Sequence, residues 1–224
     1  MHYDVGAEGI VRLERRDLPE LPQGHSQRTL RLPLHSAGCP SARIKGEEGG
    51  VFFCTFTCYN WLPLIEAAAM YDWVYNWFVR LHNEGNEIIA YVIMPNHMHV
   101  LIQVPHGRTI NRIMTEGKRF MAYAIRKRPV ESGRSDLLTQ LQEGVRAGDA
   151  QRGQRYRVFE TSTDIKKCLN VEMVRQKVKY IHANPVKGKW ALVEDVATYP
   201  HSSAAAYMTG ADPKVPLLLA GEIT

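Results

Sequence analysis

The stretch EIIAYVIMPNHMHVLIQVP, residues 87–105, decides how the rest of the chain is read. Two apolar runs, EIIAYVIM and HMHVLIQVP, are split by Pro95-Asn96, and this spacing predicts adjacent strands joined by a tight connection. Successive side chains of a strand alternate faces, so His97 and His99 point the same way while Met98 points into the core. Two imidazoles side by side on a strand can share one divalent ion. A lone His-x-His arises readily by chance near the start of a strand. Apolar neighbours on both sides make this pair harder to dismiss.

Outward from this stretch, VFFCTFTCY from Val51 reads as a strand rich in aromatic and β-branched residues. Pro63 opens LIEAAAMYDWVYNWFVRLHN, whose apolar residues recur at three and four, which predicts one long amphipathic helix ended by Gly85-Asn86. RTINRIMTEGKRFMAYAIRKR reads as a second helix, basic on its exposed face. Residues 129–153 are polar and read as an insertion, with a short helix around Leu137–Val145. RYRVFE, residues 155–160, reads as a further strand. Asp164 is a candidate cap for a helical stretch, with a break near Asn170, that ends at Asn184-Pro185. The order strand–helix–strand–strand–helix–strand–helix predicts an α+β domain: an antiparallel sheet with helices packed on one face and the other face free. Residues 1–49 carry turn chemistry and little periodicity and read as an N-terminal extension. The main domain then spans 50–210, and 211–224 is a C-terminal tail.

Hydrophobic residues at 45% and charged residues at 23% are ordinary for a soluble globular chain of 224 residues. No stretch has the length of a membrane-spanning helix, and the N-terminus lacks the layout of a signal peptide. The expectation is a cytoplasmic protein. Cys39 and Cys168 are isolated. Cys54 and Cys58 share a strand face, but a zinc site needs two more soft ligands nearby, so the cysteines read as small buried residues. Charge is uneven along the chain. From His106 to Trp190 there are 19 Lys/Arg against 8 Asp/Glu, whereas the other residues hold 9 basic and 15 acidic. Such asymmetry suggests a polyanionic partner, although a solvated helix surface would look the same.

A second signal is Val178-Lys179-Tyr180-Ile181-His182-Ala183-Asn184-Pro185. In the last turn of a helix, Tyr180 and Asn184 lie four apart on one face, so a phenol and a carboxamide project together. Alone, Tyr180 would read as a half-buried core tyrosine and Asn184 as a helix C-cap.

Together the two segments resemble the HUH single-strand DNA transposases with one catalytic tyrosine, most closely the REP-associated tyrosine transposase branch. The resemblance runs from about Val51 to Tyr207 and includes VIMPNHMHVLI, RYRVFE, YIHANPVKG and Tyr199-Pro200-His201-Ser202-Ser203. It implies a ferredoxin-like sheet, His97 and His99 as paired metal ligands, Asn184 as a third ligand, and Tyr180 as the nucleophile. It implies Mg²⁺ or Mn²⁺, and single-stranded or hairpin DNA as the partner of a monomer or homodimer. The extension 1–49 and the insertion 129–153 depart from the pattern.

On this reading Tyr180 attacks a phosphodiester in line, leaving a 5′-phosphotyrosine and a free 3′-hydroxyl. Free tyrosine has a pKa of about 10 and needs help to lose its proton. Lys179 points elsewhere on a helix, and Lys177 and His182 are no better placed by spacing, so the sequence names no base. Arg112, Lys118, Arg119, Arg126, Lys127 and Arg128 cluster with Phe120 and Tyr123, a pattern suited to tracking phosphates. Aromatic residues in such a helix are more often core than base-stacking platforms. Tyr123 is the rival nucleophile, in the wrong segment for the family pattern. Two other functions compete: a non-catalytic sheet that binds nucleic acid, which predicts aromatics on the central strands, and a zinc hydrolase, which needs a carboxylate near the pair.

Overall fold

The computed structural model describes residues 49–131, 135–161, 164–188 and 191–223, so the extension before Gly49, with Cys39, lies outside the described residues. In chain order come β1 (Gly50–Thr57), α1 (Leu64–Ala67), α2 (Tyr71–Asn83), β2 (Glu87–Ile93) and β3 (His97–Val104). They are followed by α3 (Ile110–Glu131), α4 (Ser135–Glu143), α5 (Ala147–Gln151), β4 (Asp164–Cys168), α6 (Val171–His182) and α7 (Ala204–Thr209). The four strands form one antiparallel sheet in the order β2-β3-β1-β4, the ferredoxin-like arrangement.

Alternation sorts the strands cleanly. Phe52, Cys54 and Phe56 of β1 and Met98, Val100 and Ile102 of β3 share one core with Val74, Trp77, Phe78 and Leu81 of α2 and Ile113, Met114 and Met121 of α3. The opposite parity, Val51, Phe53 and Leu101 with Val92 of β2, forms a second core against Val174, Val178 and Ile181 of α6. The expectation of helices on one face is therefore corrected. α2 and α3 cover one face and α6 the other. The physical reason is visible in β2 and β3, which bury nearly every residue on both faces and need a cover on each.

Three local expectations also change. The segment after Pro63 is two helices, because Ala69 adopts a left-handed φ of 47° and Met70 N–H reaches back to Ile65 O, closing α1 with a Schellman-type turn. The fourth strand is DIKKC rather than RYRVFE, and Asp164 begins that strand instead of capping a helix. The cap of α6 is Asn170, whose Oδ1 accepts from Met173 N–H at 2.9 Å. RYRVFE runs extended past the end of β1 with a single bridge, Cys58 to Phe159. In the insertion, α4 forms close to the expected Leu137–Val145 helix and sinks Leu141 into the α2/α3 core. Cys54, Cys58 and Cys168 are buried free thiols, and burial pushes Cys58 up to about 12.

The Tyr199–Ser203 segment fixes α6 in place. His201 O accepts from Ile93 N–H, Ser203 N–H donates to Tyr91 O, and Tyr199 Oη donates to Ile93 O, so the segment lies along the free edge of β2. Ser203 Oγ also accepts from Tyr91 N–H at 3.0 Å and meets His182 Nε2, in the last turn of α6, at 2.9 Å. Leu218 N–H bonds Ile88 O, which brings the C-terminal segment onto the same side.

Ser203→Ala leaves the buried Tyr91 N–H without its side-chain acceptor. A loss of about 1–3 kcal/mol in a urea titration is expected, and an unchanged midpoint would show the clamp to be idle. Burial lowers His182 to about 4, and burial followed by Lys214 lowers His201 to about 4, so both rings are neutral in the fold. An unfolded histidine titrates near 6.5, so the unfolded chain takes up more protons below that pH. Stability is expected to be full above about pH 6.5 and to fall as pH drops towards 4. A urea midpoint constant from pH 7 to 4.5 would contradict this.

Candidate active site

His97 and His99 project from the start of β3 onto the face covered by α6, as their spacing predicts, and are 7% and 6% exposed. Their ring centroids are 4.9 Å apart. Across from them, α6 brings Tyr180 to a ring-centroid distance of 5.2 Å from His99 and 5.8 Å from Phe53. One turn on, in a 3-10 turn spanning Asn184–Val186, Asn184 Oδ1 lies 3.2 Å from His97 Nε2. The four residues named from sequence are thus gathered within one chain. Tyr180 remains 51% exposed, so its phenol opens to solvent while the imidazoles do not.

Each imidazole is held by a partner the sequence reading missed. Asn96 Nδ2 donates to Trp61 O at 3.3 Å, which turns Asn96 Oδ1 towards His97 Nδ1 at 2.7 Å. That carbonyl can only accept, so Nδ1 carries the proton and Nε2 presents its lone pair. Thr55 Oγ1, one strand over and paired with His99 in register, bonds His99 Nδ1 at 2.9 Å and leaves its Nε2 for the site. His99 also stacks on Phe53, with centroids 5.2 Å apart. Asn96 could have been suspected from its place beside His97; Thr55 had no local signal, because 44 residues separate it from its partner.

The electrostatics keep both rings neutral. Burial lowers the pKa of His97, and the Asn184 carboxamide opposes this only in part. Burial, then the neighbouring His97, then Lys177, push His99 down to about 3. Neutral imidazoles are what a metal ion requires. The donor set also fits one. With Nδ1 protonated, His97 Nε2 and Asn184 Oδ1 face each other with lone pairs, a contact relieved by a shared cation. Their 3.2 Å separation is close to the ~3 Å between neighbouring ligand atoms on an octahedral ion of the magnesium kind. Among the described residues no group of three His, Cys, Asp or Glu side chains could hold a metal, so an ion bound here would need the carboxamide, and the carboxylate a zinc hydrolase requires is not gathered beside the imidazoles.

Lys177 corrects the sequence reading, which found it no better placed than Lys179. Its Nζ lies 4.8 Å from the Phe53 ring centroid and 5.8 Å from that of Tyr180, one helical turn before the phenol. The basic cluster of α3 lies elsewhere. α3 packs on the opposite face of the sheet, so Arg112, Lys118, Arg119, Lys127 and the rival Tyr123 are not brought to the imidazoles. Arg112 pairs with Glu116, Lys118 donates to Glu160 O at 2.8 Å, and Arg119 and Lys127 are exposed. The side chains of Arg126 and Arg128 lie outside the described residues. Lys118, Arg119, Tyr123 and Arg155 line an open groove of about 730 Å³ beside the Gln154–Thr161 segment.

Comparison with known proteins bears on the family match and the fold. Residues 76–139 match a family model described as IS200-like transposase. A solved REP-associated tyrosine transposase, bound to a REP hairpin, is 21% identical over 77% of this chain and 88% of its own, with a TM-score of 0.54. At that identity the likeness concerns the fold. A putative transposase from Deinococcus radiodurans is 14% identical over 62% of this chain and 95% of its own, with a TM-score of 0.37, too slight a likeness to weigh. No curated protein matches the chain.

The hydrogen bonding of His97 leads to a direct test. At pH 7.5 a long-range ¹⁵N–¹H spectrum is expected to show His97 as the neutral Nδ1–H tautomer, and Asn96→Ala is expected to release it. An Nε2–H tautomer in the unmodified protein would overturn the assignment.

Proposed function

We propose that this chain is a single-tyrosine transposase of the IS200-like, HUH type, a reading supported by the family match over residues 76–139 and by the fold, and that it cleaves and rejoins single-stranded DNA through Tyr180. The observation that carries this reading is the convergence within one chain of the Tyr180 ring, 5.2 Å from His99, with the His97–Asn184 pair at 3.2 Å. The substrate is read as hairpin-containing DNA, the ligand in the structure of similar fold. Localisation at the nucleoid follows from that substrate.

His97 Nε2, His99 Nε2 and Asn184 Oδ1 are the groups that would hold a divalent ion, Mg²⁺ or Mn²⁺. When bound, such an ion neutralises a phosphate oxygen and makes the phosphorus a better electrophile. Burial keeps the two imidazoles neutral, and Thr55 and Asn96 keep them aimed, so little reorganisation is left for the reaction. Lys177 adds a positive charge beside the phenol, where it can attract a phosphate brought to Tyr180. The Tyr180 oxygen forms a bond to phosphorus as the bond to the 3′-oxygen breaks. The phenolic proton leaves to solvent, and the departing 3′-oxygen takes one up. The 5′-phosphotyrosine keeps the energy of the broken ester, so a second 3′-hydroxyl reverses the step on another strand without ATP. Exposure of Tyr180 suits this exchange, because one DNA end must leave and another arrive. Arg112, Lys118, Arg119, Arg126 and Lys127, across the sheet, are assigned to flanking DNA rather than to the reacting phosphate. Among the described residues no helix is long and apolar enough to cross a membrane.

Incubation with a hairpin oligonucleotide carrying single-stranded flanks and Mn²⁺ is expected to give a covalent protein–DNA adduct on a denaturing gel. Tyr180→Phe is expected to abolish the adduct while leaving binding nearly intact. His97→Ala and chelation are each expected to lower cleavage by a factor on the order of 100 or more. An adduct that survives Tyr180→Phe would exclude this nucleophile, and wild-type binding without cleavage of any hairpin would favour a non-catalytic binding module.

A further inference from the structure

Trp61 is an indole without a structural purpose of the usual kind. It closes the 3-10 turn Tyr59–Trp61 that follows β1, and it is 55% exposed. Asn60 and Trp61 both take left-handed backbone angles, with φ of 51° and 55°. For a residue as bulky as tryptophan this conformation is an outlier that surrounding structure must impose. Three hydrogen bonds supply the restraint. Tyr59 N–H donates to Val158 O, Asn60 N–H to Glu160 Oε1 at 3.0 Å, and Asn96 Nδ2 to Trp61 O at 3.3 Å. They do not bury the ring. They hold it out.

What the turn achieves is a place beside the site. The Trp61 ring centroid is 5.7 Å from that of His97, in edge contact. Contacts then run Trp61 to His97, His97 to His99 and His99 to Tyr180, so the buried imidazole pair is flanked by two exposed aromatic rings. Asn96 serves both ends of this arrangement, since the carboxamide that holds the Trp61 carbonyl also sets the His97 tautomer. Indole position and imidazole position are thereby coupled.

We propose that Trp61 is the stacking platform for a nucleobase adjoining the phosphate held at His97 and His99. The assignment rests on the transposase reading above and deepens it, by giving the single strand a base contact next to the reacting phosphate. Stacking on an indole is tolerant of sequence, because every base has a π-face, and it requires an unpaired base. Trp61 is therefore a residue that selects single-stranded over duplex DNA at the point of cleavage. Lys177, beside Tyr180, supplies charge on the other flank.

The test compares two probes with equal phosphates, a thymidine 20-mer and a 20-mer of abasic sites, bound by the full chain under chelation so that nothing is cut. Wild type is expected to prefer the thymidine strand about tenfold, the scale of one stacked base. Trp61→Leu is expected to cut that preference at least fivefold while binding the abasic strand as wild type does, and Trp61→Tyr to restore most of it. An unchanged preference in Trp61→Leu overturns the proposal, as does equal weakening on both strands or a failure of Trp61→Tyr to rescue. Should Trp61→Leu not fold, tryptophan fluorescence decides: quenching by the thymidine strand but not the abasic one, lost in Trp61→Phe, supports stacking, and quenching that persists in Trp61→Phe contradicts it. Adduct formation on hairpin DNA separates the two readings. An adduct with no Trp61-dependent base preference sinks this assignment alone, whereas base preference without any adduct sinks the transposase reading and leaves a single-strand binding site.

Discussion

The packing of α6 on the second face of the sheet is the constraint on which the site depends. Val174, Val178 and Ile181 sit against Phe53, Val92 and Leu101, and a fully buried Val or Ile contributes roughly 2 kcal/mol. That apolar stripe fixes the rotation of the helix. Tyr180 and Asn184, on the neighbouring stripe, must then meet whatever β1 and β3 present at the same level. What they present is Phe53, Thr55, His97 and His99. The alternation of a strand and the pitch of a helix, locked by one hydrophobic contact, turn residues more than 80 positions apart into a single cluster.

Polar contacts refine what packing sets. The Ser203 hydroxyl joins Tyr91 of β2 to His182 of α6, so the end of the helix that carries Tyr180 and leads into Asn184 is tied to the sheet edge. The Tyr199–Ser203 segment therefore supports the site through β2 and the last turn of α6. Asn96 plays the corresponding part in front, where it orders His97 and the turn that carries Trp61. Both devices act on neutral, buried imidazoles, whose low proton affinity comes first from burial.

Much of this was legible in the sequence, and the failures have physical causes. β1, β2 and β3 announce themselves by apolar runs with period two, and His97, His99, Tyr180 and Asn184 by spacing on those elements. β4 was hidden because Lys166 and Lys167 give an edge strand the look of a solvated segment, and edge strands carry such charges to discourage further pairing. RYRVFE misled in the opposite sense, being apolar enough to serve as a strand yet positioned beyond the end of β1. The two-sided cover of the sheet could have been read from β2, whose EIIAYVI is apolar at both parities. Thr55, Lys177 and Trp61 were out of reach, because their roles arise from tertiary contacts that no local pattern records. The α3 cluster shows the converse. Its charge pattern was plain, but its distance from the imidazoles needed the fold.

The central claim is that the phenol of α6, and no other hydroxyl, takes the DNA strand. Trypsin digestion of the trapped adduct, followed by nuclease trimming and mass spectrometry, reads this residue by residue. The account predicts a residual nucleotide on the peptide from Tyr180 to Lys187. A nucleotide on Tyr123, or on any residue outside that peptide, would contradict it.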